Sequence, residues 1–126
     1  MRNSISFGPG VEWGGISQAH CQLMAKDPRH DLTYRVYFAA LSRANQIGHA
    51  PFGMRELARI LVDGDGVIPS ASSVRNAIAR AKDRGLIEDR STARCLVLSG
   101  HHFQKGGRGP GRCVEHDEAP AAFDAA

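Results

Sequence analysis

Between Ser70 and Leu98 the chain reads SASSVRNAIARAKDRGLIEDRSTARCLVL, and this stretch admits few folds. Val74, Ala77, Ile78 and Ala81 recur at spacings of three and four, the period of one helix face. Ser70 stands before them as an N-cap, because its hydroxyl accepts one of the backbone N–H groups that a helix leaves free. Gly85 stands just past them, with Lys82 and Arg84 in the last turn, where cations suit the helix dipole. Two short apolar segments follow at once, Leu86-Ile87 and Arg94-Cys95-Leu96-Val97-Leu98, separated by the polar turn of residues 89–92. The pattern predicts a helix tied directly to a β-hairpin.

The preceding residues supply what these two elements pack against. In DLTYRVYFAALSRANQIG, residues 31–48, Leu32, Val36, Ala39, Ala40 and Ala44 form a broad apolar stripe of helical period, with Tyr37 and Leu41 alongside. Asp31 or Thr33 caps its start and Gly48 fits just past its end. GHAPFG then reads as a loop. MRELARILV reads as a second, short helix with Met54, Leu57, Ala58 and Leu61 on one face. DGDGVIP is a turn-rich connection. Asp63 and Asp65 there lack the later oxygen ligands and terminal glutamate of a calcium loop. Upstream, residues 16–26 suggest a short ordered element, broken at Asp27-Pro28 because proline disfavours helix in the residue before it.

The chain has 126 residues, the length of one domain. We read residues 1–15, with four glycines, as an N-terminal arm, 16–103 as the folded domain, and 104–126 as a tail that is basic and glycine-rich, then acidic. No apolar run approaches the roughly 18 residues that span a bilayer, and the N-terminus lacks the apolar core of a signal peptide. Cys21, Cys95 and Cys113 are odd in number, far apart and form no CxxC, which fits free thiols in a reducing compartment. A cytoplasmic location and no membrane partner are the expectations.

The elements AKDP…YRVYFAAL, FGMRELARIL, SSVRNAIARAKDRGLIE and ARCLVL follow each other as helix, helix, helix and hairpin. Over about residues 27–100 this order resembles the winged helix-turn-helix domain. In particular it resembles the small helix-turn-helix proteins of bacteria and their phages, a group that includes regulators and replication initiators. One departure is the long LVDGDGVIPS between the second and third helices, where such folds usually turn in three or four residues. The resemblance implies a mainly α fold with a small β-hairpin wing (α+β) on a three-helix core. It also implies a third helix in the DNA major groove with the wing beside it.

Charge agrees with such a partner. Glu115, Asp117, Glu118 and Asp124 all follow residue 112, so residues 1–112 hold 16 bases against 9 acids, a net +7. Residues 70–112 hold 9 bases against 3 acids, and no acid occurs between residues 66 and 82. With the apolar stripe inward, Ser72, Arg75 and Asn76 face outward, flanked by Ser73 and Arg80. Arginine pairs bidentately with guanine O6/N7 and asparagine with adenine N6/N7. The hydroxyls of Ser70, Ser72 and Ser73, with the helix N-terminus, suit phosphate oxygens. Arg90 and Arg94 on the hairpin would reach the flanking backbone. Lys105, Arg108 and Arg112 in KGGRGPGR would add sequence-independent affinity by counterion release. The expected partner is double-stranded DNA, and the expected role is transcriptional regulation in a phage or mobile element. The alternatives are origin binding in replication initiation, and a protein-interaction adaptor anchored by Phe7, Trp13 and Phe123. A plain solvated helix face is the simplest reading of Arg75, Asn76 and Arg80. A homodimer is open, although no heptad seam is visible.

Cys113-x-x-His116 has usable ligand spacing, and Cys95 or one of His101 and His102 would be needed to complete a site. Without a second CxxC or CxxH, and with Cys95 placed as a buried strand residue, the expectation is that no metal binds. No phosphate loop, HExxH or GxSxG occurs, so neither enzymatic activity nor a cofactor is expected.

Overall fold

The computed structural model describes residues 5–106 and 113–116. Four helices and two strands run in the order α1 (Gln18–Lys26), α2 (Leu32–Arg43), β1 (His49–Pro51), α3 (Glu56–Ile60), α4 (Ala71–Asp83) and β2 (Cys95–Val97). The architecture is α-helical with a small two-stranded antiparallel sheet. No helix among the described residues is long and apolar enough to cross a membrane.

The short element before Pro28 is a full helix, so four helices surround the core where the sequence reading expected three. Ser17 caps α1 by accepting from the His20 amide, and Cys21 and Ala25 are its buried residues. α1 and α2 form an antiparallel pair. The Gln18 side-chain amide donates to the carbonyls of Leu41 and Ala44 at the far end of α2, at 2.9 and 3.1 Å. Asp31, as expected, caps α2 through the Thr33 amide.

α2 stops at Arg43, earlier than the expected end at Gly48. The Asn45 side chain takes the amides of Ile47 and His49, both at 3.1 Å, and so turns the chain away from the helix. Gly48, at φ +80°, ends this turn. The segment GHAPFG, expected as a loop, then contributes β1. His49 pairs with Val97, Ala50 with Leu96 and Pro51 with Cys95. Bonds from Leu98 N to Gly48 O and from Phe52 N to Arg94 O extend the ladder at each end. Pro51 has no N–H to donate and is tolerated because β1 is a sheet edge.

The expected hairpin is also revised. Leu86-Ile87 is not a strand. Glu88 N bonds to Val97 O and Thr92 forms an isolated bridge with Cys95, while the regular partner of β2 is β1. α3 is a five-residue helix with Leu57 and Ala58 buried, but Met54, expected on that face, is 74% exposed. α4 matches its pattern closely. The Ser70 hydroxyl accepts from the Ser73 amide, and Val74, Ala77, Ile78 and Ala81 are buried. Gly85, at φ +71°, closes the helix with Gly85 N bonded to Lys82 O and Leu86 N to Ala81 O, a Schellman end.

The two faces of the sheet serve different clusters, as a period of two requires. Ala50, Leu96 and Leu98 join the main core beneath α2, α3 and α4. Cys95 and Val97 face the other way, with Ile47 and Cys113. Among the described residues, one Lys, Arg, Asp or Glu side chain is buried. Arg35, 2% exposed, donates to Ala25 O at 2.9 Å, Ile60 O at 3.2 Å and Leu61 O at 3.4 Å. It thereby binds the free carbonyl ends of α1 and α3 to the first turn of α2. Burial lowers its pKa, countered by Asp27 and Asp63.

Candidate nucleic-acid interface

The start of α3, one side of α4 and the loop before β2 enclose an open groove of about 570 Å³. Leu57, Ala58, Val74, Ile78 and Ala93 contribute hydrocarbon to it, and Arg55, Arg75, Lys82 and Arg94 contribute cations. No carboxylate is among the described residues that line it. Arg75, Ala79 and Lys82 follow one another at four and three residues, so they form one stripe up the same side of α4.

The sequence-predicted residues divide between this groove and other places. Arg75 and Arg94 line it. Arg94 is steadied by a bond from its Nε to Phe52 O at 3.0 Å, and its Nη2 lies 3.8 Å from Glu115. Ser72 and Asn76 are exposed on α4 beside it. Arg80 does not share the side of Arg75. Five residues separate them, about 140° around the helix, and Arg80 Nε donates to the hydroxyl of buried Thr33 on α2 at 2.9 Å. Arg84 lies in the same direction, with its guanidinium 5.5 Å above the Tyr34 ring. Together these two help hold the Asp31 carboxyl below its usual pKa, after the larger effect of the Thr33 amide.

Ser70 is committed to capping, and its Oγ also lies 3.1 Å from Ser73 Oγ and 3.3 Å from Ser72 Oγ. Arg90 pairs with Glu88 at 2.9 Å. Lys105 lies in a different groove with Trp13, Tyr37 and Phe103, where residues of the N-terminal arm meet the chain after β2. Arg108 and Arg112 lie outside the described residues.

Two cations of the groove had no place in the sequence reading. Lys82 was assigned only to the helix dipole, although its spacing from Arg75 already placed both on one side. Arg55 has no comparable signal. It precedes α3 at φ +58° and donates to Pro69 O at 2.7 Å, a contact set by how α3 and α4 meet.

A second constellation lies on the outer face of the sheet. His49, Cys95, Cys113 and His116 place one ligand atom each within 4.8 Å of one another. The sequence expectation of no metal weighed His101 and His102 as completing residues, but both sit exposed in a turn, and His49 completes the set instead. Burial holds His49 well below the ordinary histidine pKa, at about 4, so its imidazole is neutral. Burial likewise pushes the Cys95 thiol up to about 12, with the Cys113 thiol adding to the effect. Comparison with protein families, with curated proteins and with solved structures returned no match to this chain.

Proposed function

We propose that this protein binds duplex DNA as a winged helix, with α4 as the reading helix and the loop of residues 88–94 as a short wing. The observation that carries this is the meeting of Arg55, Arg75, Lys82 and Arg94, from three separate parts of the chain, along one groove beside α4 whose described lining residues include no carboxylate. Three features support it. The order α2, β1, α3, α4, β2, with β1 antiparallel to β2, combines a helical core with a small sheet, which is compatible with a winged helix. The exposed surface of α4 is built from small residues beside Arg75 and Asn76, which permits close approach to base edges. The first turn of α4 carries three serines and no acid, which suits phosphate. Arg75 and Asn76 take the base-reading role, and Arg55, Lys82 and Arg94 the backbone. Transcriptional regulation in a phage or mobile element is the role that the sequence resemblance favours. Origin binding is its alternative within the same class.

A protein partner is the second reading, favoured by the hydrocarbon lining of the same groove and by Met54, Val67 and Ile68 exposed nearby in sequence. Fluorescence anisotropy with labelled random duplex DNA over a salt series separates the two. DNA binding predicts affinity that falls steeply with salt and weakens in Arg75→Ala. No binding at low salt would remove the DNA reading and leave the adaptor.

A further inference from the structure

We propose that His49, Cys95, Cys113 and His116 bind one zinc ion in a closed structural site that fastens the chain after residue 112 to the back of the sheet. All four ligand atoms lie within 4.8 Å of one another, and three of the distances between them are close to the edges of a zinc tetrahedron. Cys95 Sγ lies 3.4 Å from Cys113 Sγ and 3.5 Å from His49 Nδ1, and Cys113 Sγ lies 3.3 Å from His116 Nδ1. With Zn–S near 2.3 Å and Zn–N near 2.0–2.1 Å, a tetrahedral site has S–S edges of about 3.8 Å and S–N edges of about 3.5 Å. Small movements of the side chains reach those values.

The surroundings are arranged as a metal needs. His116 Nε2 donates to Arg90 O at 2.8 Å, which fixes the tautomer and leaves Nδ1 unprotonated toward the sulfurs. The His116 amide donates to Cys113 Sγ at 3.2 Å, a contact that stabilises a thiolate. His49 and Cys95 are diagonal neighbours across the sheet, because Cys95 pairs with Pro51 and His49 with Val97. The sheet therefore presents one imidazole and one thiol on one face. Cys113-x-x-His116 supplies the other pair from a single turn. Zn²⁺ would displace the two thiol protons to solvent, forming two Zn–S bonds and a site of zero net charge suited to burial.

Packing alone accounts poorly for this segment. Val114 is 90% exposed, and Cys113 is the only fully buried side chain among residues 113–116. Little apolar burial thus opposes the entropy of ordering four residues. A Cys95–Cys113 disulfide would anchor the chain but gives no reason for two imidazoles to aim Nδ1 at the same sulfurs. Four protein ligands leave no position for substrate, so the ion is structural. The identity of the donors, two thiolates and two imidazoles, selects zinc over magnesium or calcium.

The test is the metal content of full-length, untagged protein purified under reducing conditions without chelator, with cobalt(II) uptake as a second measurement. About one zinc per chain is expected, together with the intense visible absorption of tetrahedral thiolate-bound cobalt(II) when the apoprotein is titrated. Cys113→Ser and His116→Ala, which leave the main core untouched, should each weaken zinc binding by more than the roughly 10- to 100-fold cost of losing an outer-shell partner. Far-UV circular dichroism checks that each variant folds. Wild-type protein that takes up neither zinc nor cobalt, that forms the disulfide in place of binding metal, or whose binding is unchanged in folded variants, overturns the proposal. These readouts are independent of DNA, so the outcome does not depend on the interface proposed above.

Discussion

Arg75→Ala and Arg80→Ala should part company, although both arginines are exposed residues of α4. Arg75 lines the groove, and no hydrogen bond among the described residues ties it to the core, so its removal should shift stability by no more than about 0.5 kcal/mol. If it touches a phosphate on random duplex, its loss reduces the slope of log K against log[salt] by about 0.9. If it reads a base in the true site, the loss is roughly 1–3 kcal/mol, or about 5- to 150-fold in affinity. Arg80 holds the hydroxyl of Thr33, which is fully buried. Its removal should cost about 1 kcal/mol of stability, the net worth of one hydrogen bond, and leave the salt slope near the wild-type value. The assay pairs urea denaturation with anisotropy titrations at several salt concentrations. If Arg80→Ala lowers DNA affinity as much as Arg75→Ala while remaining folded, the division of the two sides of α4 is wrong. The reading surface would then have to be moved around the helix.

Other perturbations test the frame that holds this surface. Arg35→Met leaves the carbonyls of Ala25, Ile60 and Leu61 without their donor, and should lower unfolding free energy by roughly 2–4 kcal/mol in urea. Gly85→Ala places a side chain at φ +71° with open space around it, so strain alone should cost about 1–2 kcal/mol, read as a lowered Tm. Glu56 accepts from Gly53 N and pairs with Arg43, both at 2.7 Å, and these hold its carboxyl below the ordinary 4.5. Its contribution is complete above pH 4.5 and is lost as pH falls through the lower folded value. Glu56→Gln should therefore flatten the acid side of the stability profile, and an unchanged profile would rule that role out. Chelation of the proposed zinc should lower Tm, and restoring zinc to 100 times its dissociation constant should return about 2.7 kcal/mol. Because His116 and Glu115 brace residues 90 and 94, the apoprotein should also bind DNA more weakly.

Local chemistry was legible where one element answers to its own residues. The serine cap, the four-residue stripe and the terminal glycine of α4 are each satisfied within the helix, and all three were read from the sequence. For α2 the sequence leaves the cap between Asp31 and Thr33, and the structure gives it to Asp31. β1 was not legible: His49-Ala50-Pro51 has no alternation, contains a proline, and becomes a strand only because Cys95–Val97 supplies its bonds from 46 residues away. The end of α2 was misplaced because two residues, Asn45 and Gly48, both offer to stop it, and the Asn45 side chain acts first.

The site divides in the same way. Periodicity and spacing alone turn Arg75 and Asn76 outward on α4 and give Cys113 and His116 the separation of a ligand pair. The packing of distant segments turns Arg80 to Thr33, brings Arg55 to the groove and sets His49 and Cys95 against the Cys113–His116 turn. Helix periodicity fixes the direction of a side chain relative to its own axis. Which charges share a groove, and which ligands share a point in space, depends on how separate segments meet, and that is set by the common core they bury.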